Sequence, residues 1–173
     1  MIQDMKETFS KRKNPRLQDF DYSTAGAYFI TICTENRKKL LSHIVGGDVL
    51  DAPCDIELSE YGKIAEKYIN QLSDFYEDIV VEAYTIMPNH IHIMLMIQDV
   101  GTSRTSSPTK QHSTVPRFIS TLKRFCNKEY GYNIWQRSYN DHIIRDEEDY
   151  LLHLRYISEN PLKWKLDELY IEE

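Results

Sequence analysis

The chain has 173 residues, 41% of them apolar, and a formal net charge of −6. That length suits one globular domain with a sizeable core, and no run of about 18 apolar residues exists to span a bilayer. Cys33, Cys54 and Cys126 are scattered, which argues against a disulfide framework or a cysteine zinc site and fits a reducing, cytoplasmic location.

Residues 1–20 read as a basic N-terminal arm, with Lys11, Arg12, Lys13 and Arg16 grouped in it and no apolar signal-peptide core. Residues 27–34, rich in β-branched and aromatic side chains, predict a buried strand, and residues 35–39 a polar turn. Gly46, Gly47 and Pro53, among the aspartates Asp48, Asp51 and Asp55, mark a loop with room for a short edge strand. Ser59 caps a predicted helix that carries Ile64, Tyr68, Ile69 and Leu72 at helical spacing. Residues 79–87 and 90–97 read as strands. The short break at Pro88-Asn89 allows an antiparallel hairpin or one bulged strand.

Residues 99–115 are rich in Ser and Thr and predict a flexible loop. A basic amphipathic helix follows, with Phe118, Ile119, Leu122, Phe125 and Cys126 inward and Lys123, Arg124 and Lys128 outward. Residues 135–145 end in a predicted strand. Asp146 opens a helix with acids in its first turn, where the dipole favours them. It runs to Glu159 or Asn160 and stops before Pro161, because a residue preceding proline disfavours helical angles. This order predicts a mainly antiparallel sheet with helices packed on one face.

Charge is unevenly spread. Residues 101–137 hold seven basic side chains (Arg104, Lys110, Arg117, Lys123, Arg124, Lys128 and Arg137) against Glu129 alone, a local charge of +6. Residues 46–82 hold ten acids against Lys63 and Lys67, a local charge of −8. Exposed charges are screened beyond about 8–10 Å at ordinary salt, so local potential outweighs the molecular sum. The basic segment is a phosphate-binding surface or a solvated helix face.

His90 and His92 carry the chemistry. Side chains two apart on a strand share a face, so two imidazoles project side by side from an otherwise apolar run, as metal ligands or as satisfied core histidines. On the last helix, His153, Tyr156 and Asn160 fall at i, i+3 and i+7, on one face. A tyrosine can attack phosphorus when positioned and activated, and an amide carbonyl can complete a metal's coordination beside two imidazoles. Two histidines and a carbonyl suit magnesium or manganese better than a closed zinc site. With 12 tyrosines present, Tyr156 is equally open to a packing role, and Asn160-Pro161 is also a plain helix stop.

Several pieces together resemble the HUH single-tyrosine transposases, specifically the REP-associated tyrosine transposases. They are Asp21-Tyr22, residues 26–34, Met87-Pro-Asn-His-Ile-His92, Trp135-Gln-Arg-Ser-Tyr-Asn-Asp-His-Ile-Ile-Arg145, Tyr156-Ile-Ser-Glu-Asn-Pro161 and Lys163-Trp164. The resemblance implies a divalent metal, magnesium or manganese, held by His90, His92 and Asn160. It implies Tyr156 as the nucleophile that takes a 5′ phosphate and releases a 3′ hydroxyl. Where insertion-sequence relatives carry glutamine, this chain has the shorter Asn160. The rival tyrosines, Tyr139 and Tyr150, have Ile143 and Leu154 four residues later rather than an amide.

His153 is expected to contact phosphate, to support the metal site, or to pack. DNA contacts are expected from Lys123, Arg124, Lys128, Arg117, Arg104 and Lys110, and from the N-terminal arm, with Tyr132 or Trp135 as stacking platforms. The expectation is an α+β, ferredoxin-like domain over residues 21–173. Its activity would be that of a metal-dependent single-stranded DNA endonuclease and strand transferase, acting on hairpin or palindromic repeat DNA as a monomer or homodimer. A non-cleaving DNA-binding protein for repeat sequences is the alternative, and a hydrolase using water a third.

Overall fold

A computed structural model describes residues 20–46, 54–99 and 113–172. Arg104, Lys110 and the arm's Lys11, Arg12, Lys13 and Arg16 lie outside the described residues. The elements in chain order are β1 (Gly26–Cys33), β2 (Ser42–Gly46), β3 (Cys54–Leu58), α1 (Glu60–Phe75), β4 (Ile79–Ile86), β5 (His90–Ile97), α2 (Thr114–Tyr130), β6 (Asn140–Ile143) and α3 (Glu147–Glu159). Short 3-10 turns cover Glu35–Arg37 and Pro161–Leu166.

The main sheet runs β4-β5-β1-β6, with every neighbouring pair antiparallel. Counting only its own strands and the two helices between them, the order is βαββαβ, the ferredoxin-like arrangement. β1 and β5 occupy the centre and are buried along almost their whole length. Central strands covered on both faces read as continuous apolar runs rather than alternating ones, which is the pattern of Ala27 to Cys33. Pro88-Asn89 closes a β4–β5 hairpin in which Ile86 faces Ile91. A register shift between Val81 and Ala83 adds a bulge within β4. β2 and β3 form a separate two-stranded ribbon.

The pleat sorts β5 into two layers. Ile91, Ile93, Leu95 and Ile97 join the larger core with Ala65, Ile69 and Leu72 of α1 and Phe118, Ile119 and Leu122 of α2. Met94 points the other way, into a smaller cluster with Ala27, Phe29 and Ile157, and Tyr156 and Leu154 pack against it. The expected packing of helices on one face therefore holds for α1 and α2, while α3 lies across the opposite face. The reason is physical: Ala27, Phe29 and Met94 make that second face apolar, and it too needs a cover.

Local signals explain the helix ends. Ser59 Oγ accepts the Gly62 N–H at 3.2 Å, and Asp146 Oδ1 accepts that of Asp149 at 2.9 Å, both as N-caps. Gly131 ends α2 in the left-handed region at φ 80°. Gly62 serves a close approach, because a Cβ there would stand 2.1 Å from the Leu41 carbonyl oxygen. At the end of α3 the sequence expectation is only half met. Asn160 keeps helical angles (φ −54°, ψ −43°) in spite of Pro161, and the chain continues as the 3-10 turn instead of breaking away. The predicted 99–115 loop also ends early, since Thr114 and Val115 belong to α2. Among the described residues, no helix is long and apolar enough to cross a membrane.

Candidate active site

His90 and His92 stand on the sheet face that α3 covers, and both are buried, at 0% and 3% exposure. Their rings meet edge to face at 4.4 Å. His90 Nδ1 lies 2.8 Å from Asn89 Oδ1, and Asn89 Nδ2 donates to the Leu169 carbonyl at 2.7 Å. That second bond fixes the amide's orientation, because a carbonyl only accepts; Asn89 Oδ1 must then face the ring, and His90 Nδ1 must carry the proton. The Nε2 lone pair is left pointing into the site. His92 is held similarly, with Nδ1 2.9 Å from Thr31 Oγ1 on the adjacent strand. Burial pushes the His90 ring down to about 3, with the nearby Arg37 charge adding to it. Burial likewise holds His92 well below its ordinary value, helped by its neighbour His90. Both are neutral imidazoles near pH 7, the form that ligates metals.

α3 brings Tyr156 and Asn160 to the same place. The Tyr156 ring sits 5.1 Å from the His92 ring at 64°, and 5.9 Å from Phe29. Asn160, 3% exposed, donates through Nδ2 to Asp167 Oδ2 at 2.9 Å. The Tyr156 hydroxyl donates to the same oxygen at 3.1 Å. Burial, reinforced by the Asp167 charge, holds the Tyr156 phenol above its ordinary value. It is protonated at neutral pH, so its reaction needs a proton acceptor in the transition state.

At this site three buried polar atoms have no hydrogen-bond partner: His90 Nε2, His92 Nε2 and Asn160 Oδ1. Buried polar atoms are nearly always paired, so three orphans in one place are a chemical observation. Asn160 Oδ1 and His90 Nε2 offer lone pairs, as does His92 Nε2 when Nδ1 donates to Thr31, and a donor set of two imidazoles and an amide oxygen fits a divalent cation. Asp167, half-buried, adds a carboxylate: one oxygen of it and one nitrogen of each histidine lie within 4.8 Å of one another. Sequence reasoning missed Asp167, Asn89 and Thr31. Asn89 and Thr31 carried a signal, inside Met87-Pro-Asn-His-Ile-His92 and residues 26–34; Asp167 sits in a plain acidic tail that the Pro161–Leu166 turn folds back, with Trp164 5.9 Å from the His90 ring.

His153 is placed apart from the orphaned atoms. It is buried, its Nδ1 donates to the Asp149 carbonyl at 2.8 Å, and its ring stacks on His142 at 4.6 Å. Its other face meets Phe29 at 4.7 Å, and Phe29 in turn stacks on His92 at 5.0 Å. Burial lowers its affinity for a proton. Its side chain packs behind His92 through Phe29 and is bonded to Asp149. Of the rival tyrosines, Tyr139 belongs to the core on the other side of the sheet, and Tyr150 packs at the margin of the α3 cluster.

The basic residues divide. Arg124 and Lys128 are exposed on α2. Lys123 is tied by Nζ to the carbonyls of Gln136 and Ser138 at 2.8 and 2.9 Å. Arg117 pairs with Asp78 at 3.1 Å and lies over the Tyr76 ring, so it is engaged in structure. Trp135, 1% exposed, is a core residue and not a stacking platform; Tyr132 is exposed and bonded to Tyr61. An open cleft of about 500 Å³ lies between α2 and residues 133–137, lined by Glu35, Lys123, Arg124, Asn127, Gln136 and Arg137 among others. Gln136 N–H donates to the Cys33 carbonyl, and Cys33 is paired with His90 across β1 and β5. The cleft therefore opens at the end of the sheet that carries the histidines.

The class these features define is a ferredoxin-like α+β domain in which a central strand presents two imidazoles to a tyrosine-bearing helix. No family model matches the chain. It is 29% identical to an uncharacterized protein of Haemophilus influenzae, over 93% of this chain and 94% of that one. It is 25% identical to a REP-associated tyrosine transposase of Escherichia coli, over 82% of this chain and 70% of that one. The solved structure of a REP-associated tyrosine transposase bound to a REP hairpin shares its fold, with a TM-score of 0.62 at 18% identity over 91% of this chain and 77% of that one. The chain is a relative of the REP-associated tyrosine transposases.

Proposed function

We propose that the protein is a transposase-like, metal-dependent endonuclease and strand transferase for single-stranded or hairpin DNA of a palindromic repeat, working through a covalent 5′-phosphotyrosine. The observation that carries this reading is the meeting of three orphaned lone pairs, on His90, His92 and Asn160, with the Tyr156 phenol beside them. A divalent ion held by those residues would polarise the phosphodiester and offset charge developing on it. Tyr156 Oη attacks phosphorus as its proton leaves, the Oη–P bond forms, the P–O3′ bond breaks, and the released 3′ oxygen takes up a proton. The phosphotyrosine keeps the ester's energy, so a second 3′ hydroxyl reverses the step without ATP.

The remaining residues serve position. Asn89 and Thr31 fix the imidazoles, Phe29 and His153 back them, and Asp167 holds the phenol and the Asn160 amide. Arg124 and Arg137, which line the cleft, and Lys128, exposed on α2, would meet the strand's phosphates and lead it toward the histidine end of the sheet. Incubation of hairpin DNA carrying single-stranded flanks with manganese, followed by denaturing electrophoresis, tests the reading. It predicts a protein–DNA adduct that chelation and Tyr156→Phe abolish. Binding with no cleavage would make the protein a repeat-binding factor, and cleavage with no adduct a water-using hydrolase.

A further inference from the structure

We infer that Asp167 is itself a ligand of the divalent cation, joining His90 and His92, so that the metal centre is closed by the chain segment after α3 and not by strand and helix alone. The inference rests on the proposed metal-dependent reading and specifies the chemistry of that site.

Two lines of reasoning carry it. The first is distance. Donors bound at roughly 2.1 Å to one ion are separated by about 3 Å when adjacent and by about 4.2 Å when opposite. One nitrogen from each of His90 and His92 and one Asp167 oxygen fall within 4.8 Å of one another, close to the span of a single coordination sphere, so one ion is within reach of all three. The carboxylate has capacity for it. Its Oδ1 accepts the Leu169 N–H, and its Oδ2 accepts from Tyr156 and Asn160, whereas a carboxylate offers about four lone-pair directions.

The second is charge. Two neutral imidazoles and an amide oxygen carry no formal charge, yet His90, His92 and Asn160 are all 3% exposed or less. Bringing a divalent ion out of water into such a setting costs heavily unless an opposite charge meets it. Asp167 supplies that charge. Magnesium and manganese prefer oxygen donors, and a carboxylate brings the donor set closer to their taste than imidazoles alone.

Asp167 also explains the placing of two neighbours. One oxygen atom receives both the Tyr156 hydroxyl and the Asn160 amide. A carboxylate on the cation would therefore set the phenol at a fixed distance from the metal, and the Asn160 carbonyl on the same side. Leu169, two residues on, is tied to Asn89, which orients His90, so the segment is anchored to the histidine strand from both ends.

The test uses the full-length protein and manganese alone, with no DNA. Affinity is read by calorimetry, and the number of waters on the bound ion by proton relaxation. Asp167→Asn, of nearly equal size, is expected to weaken binding at least tenfold and to add one water to the bound manganese, while Asp167→Glu recovers most of the affinity. Undiminished affinity in Asp167→Asn, or weaker binding with the water count unaltered, overturns the inference and leaves the proposed function standing. Wild-type protein that binds no manganese, or binds it as well after His90→Ala, overturns the metal-dependent reading beneath it. Should Asp167→Asn fail to fold, as judged by its thermal transition, a folded Asp167→Ala decides: loss of affinity with one added water supports ligation, and no change overturns it.

Discussion

Replacing Asn89 with alanine separates a designed site from an accidental pairing of histidines. Asn89 is fully buried; its Oδ1 faces His90 Nδ1 at 2.8 Å and its Nδ2 donates to Leu169 O at 2.7 Å. Truncation leaves the His90 Nδ1–H buried without an acceptor, which costs about 1–3 kcal/mol. The Leu169 carbonyl, in a half-buried residue, recovers part of its bond from water and adds about 1 kcal/mol. The sum, about 2–4 kcal/mol, corresponds to a fall in Tm of roughly 5–15 °C for a domain of this size. A second effect is chemical. Without Asn89 the ring loses the partner that fixes its tautomer, and loss of such a partner costs roughly 10–100-fold in metal affinity. Urea denaturation without metal gives the first quantity, and manganese titration the second. Nitrogen-detected imidazole spectra report the His90 tautomer directly. Asn89→Asp keeps an acceptor for His90 while losing the donor to Leu169, so it restores the tautomer and not the stability. An Asn89→Ala protein as stable as wild type, with its Nδ1-protonated ring unchanged, refutes the reasoning.

Three further outcomes follow from particular contacts. His90 and His92 have folded-state pKa values depressed by burial, so the unfolded chain takes up protons first. Without metal, their contribution is fully present above about pH 6.5 and is lost as pH falls toward 3, at about 1.4 kcal/mol per pH unit for each unmatched proton; a flat profile between pH 7.5 and 5 in chemical denaturation contradicts this. Gly62→Ala gains helix propensity of about 1 kcal/mol, yet its Cβ would meet the Leu41 carbonyl oxygen at 2.1 Å. Net destabilisation of about 1–3 kcal/mol is expected by denaturation, and a gain in stability would be inconsistent with the close approach. Arg124→Ala is expected to weaken single-stranded DNA binding and lower the slope of log affinity against log salt by about 0.7, whereas Lys123→Ala, which frees the Gln136 and Ser138 carbonyls, acts on stability. Equal salt slopes for Arg124→Ala and wild type remove Arg124 from the DNA surface.

Much of the fold was legible because local and global signals agree. The strand runs, the Ser59 cap and the helix opened by Asp146 form where the residue pattern placed them, and the break at Pro88-Asn89 takes the hairpin form, one of the two it allowed. The side on which α3 packs was not legible, because a helix pattern shows which stripe is apolar and not which face of a sheet receives it. At the site, residues two apart on a strand, or four apart on a helix, share a face by geometry alone, so the pairing of His90 with His92 and of Tyr156 with Asn160 could be read from spacing, whereas their roles came from the resemblance. Asp167 could not, since its position depends on Asn160 keeping helical angles before a proline and on Trp164 packing near His90. Lys123, Arg117 and Trp135 looked like DNA-binding side chains. Charge and aromaticity do not reveal which of them the fold itself consumes.

Mass-spectrometric mapping of the DNA-linked peptide after cleavage in manganese tests the central claim most directly. The account predicts a nucleotide phosphate on the Tyr156 phenol, in the peptide that also carries Ser158. Its attachment to Tyr139, Tyr150 or any other side chain would contradict the account.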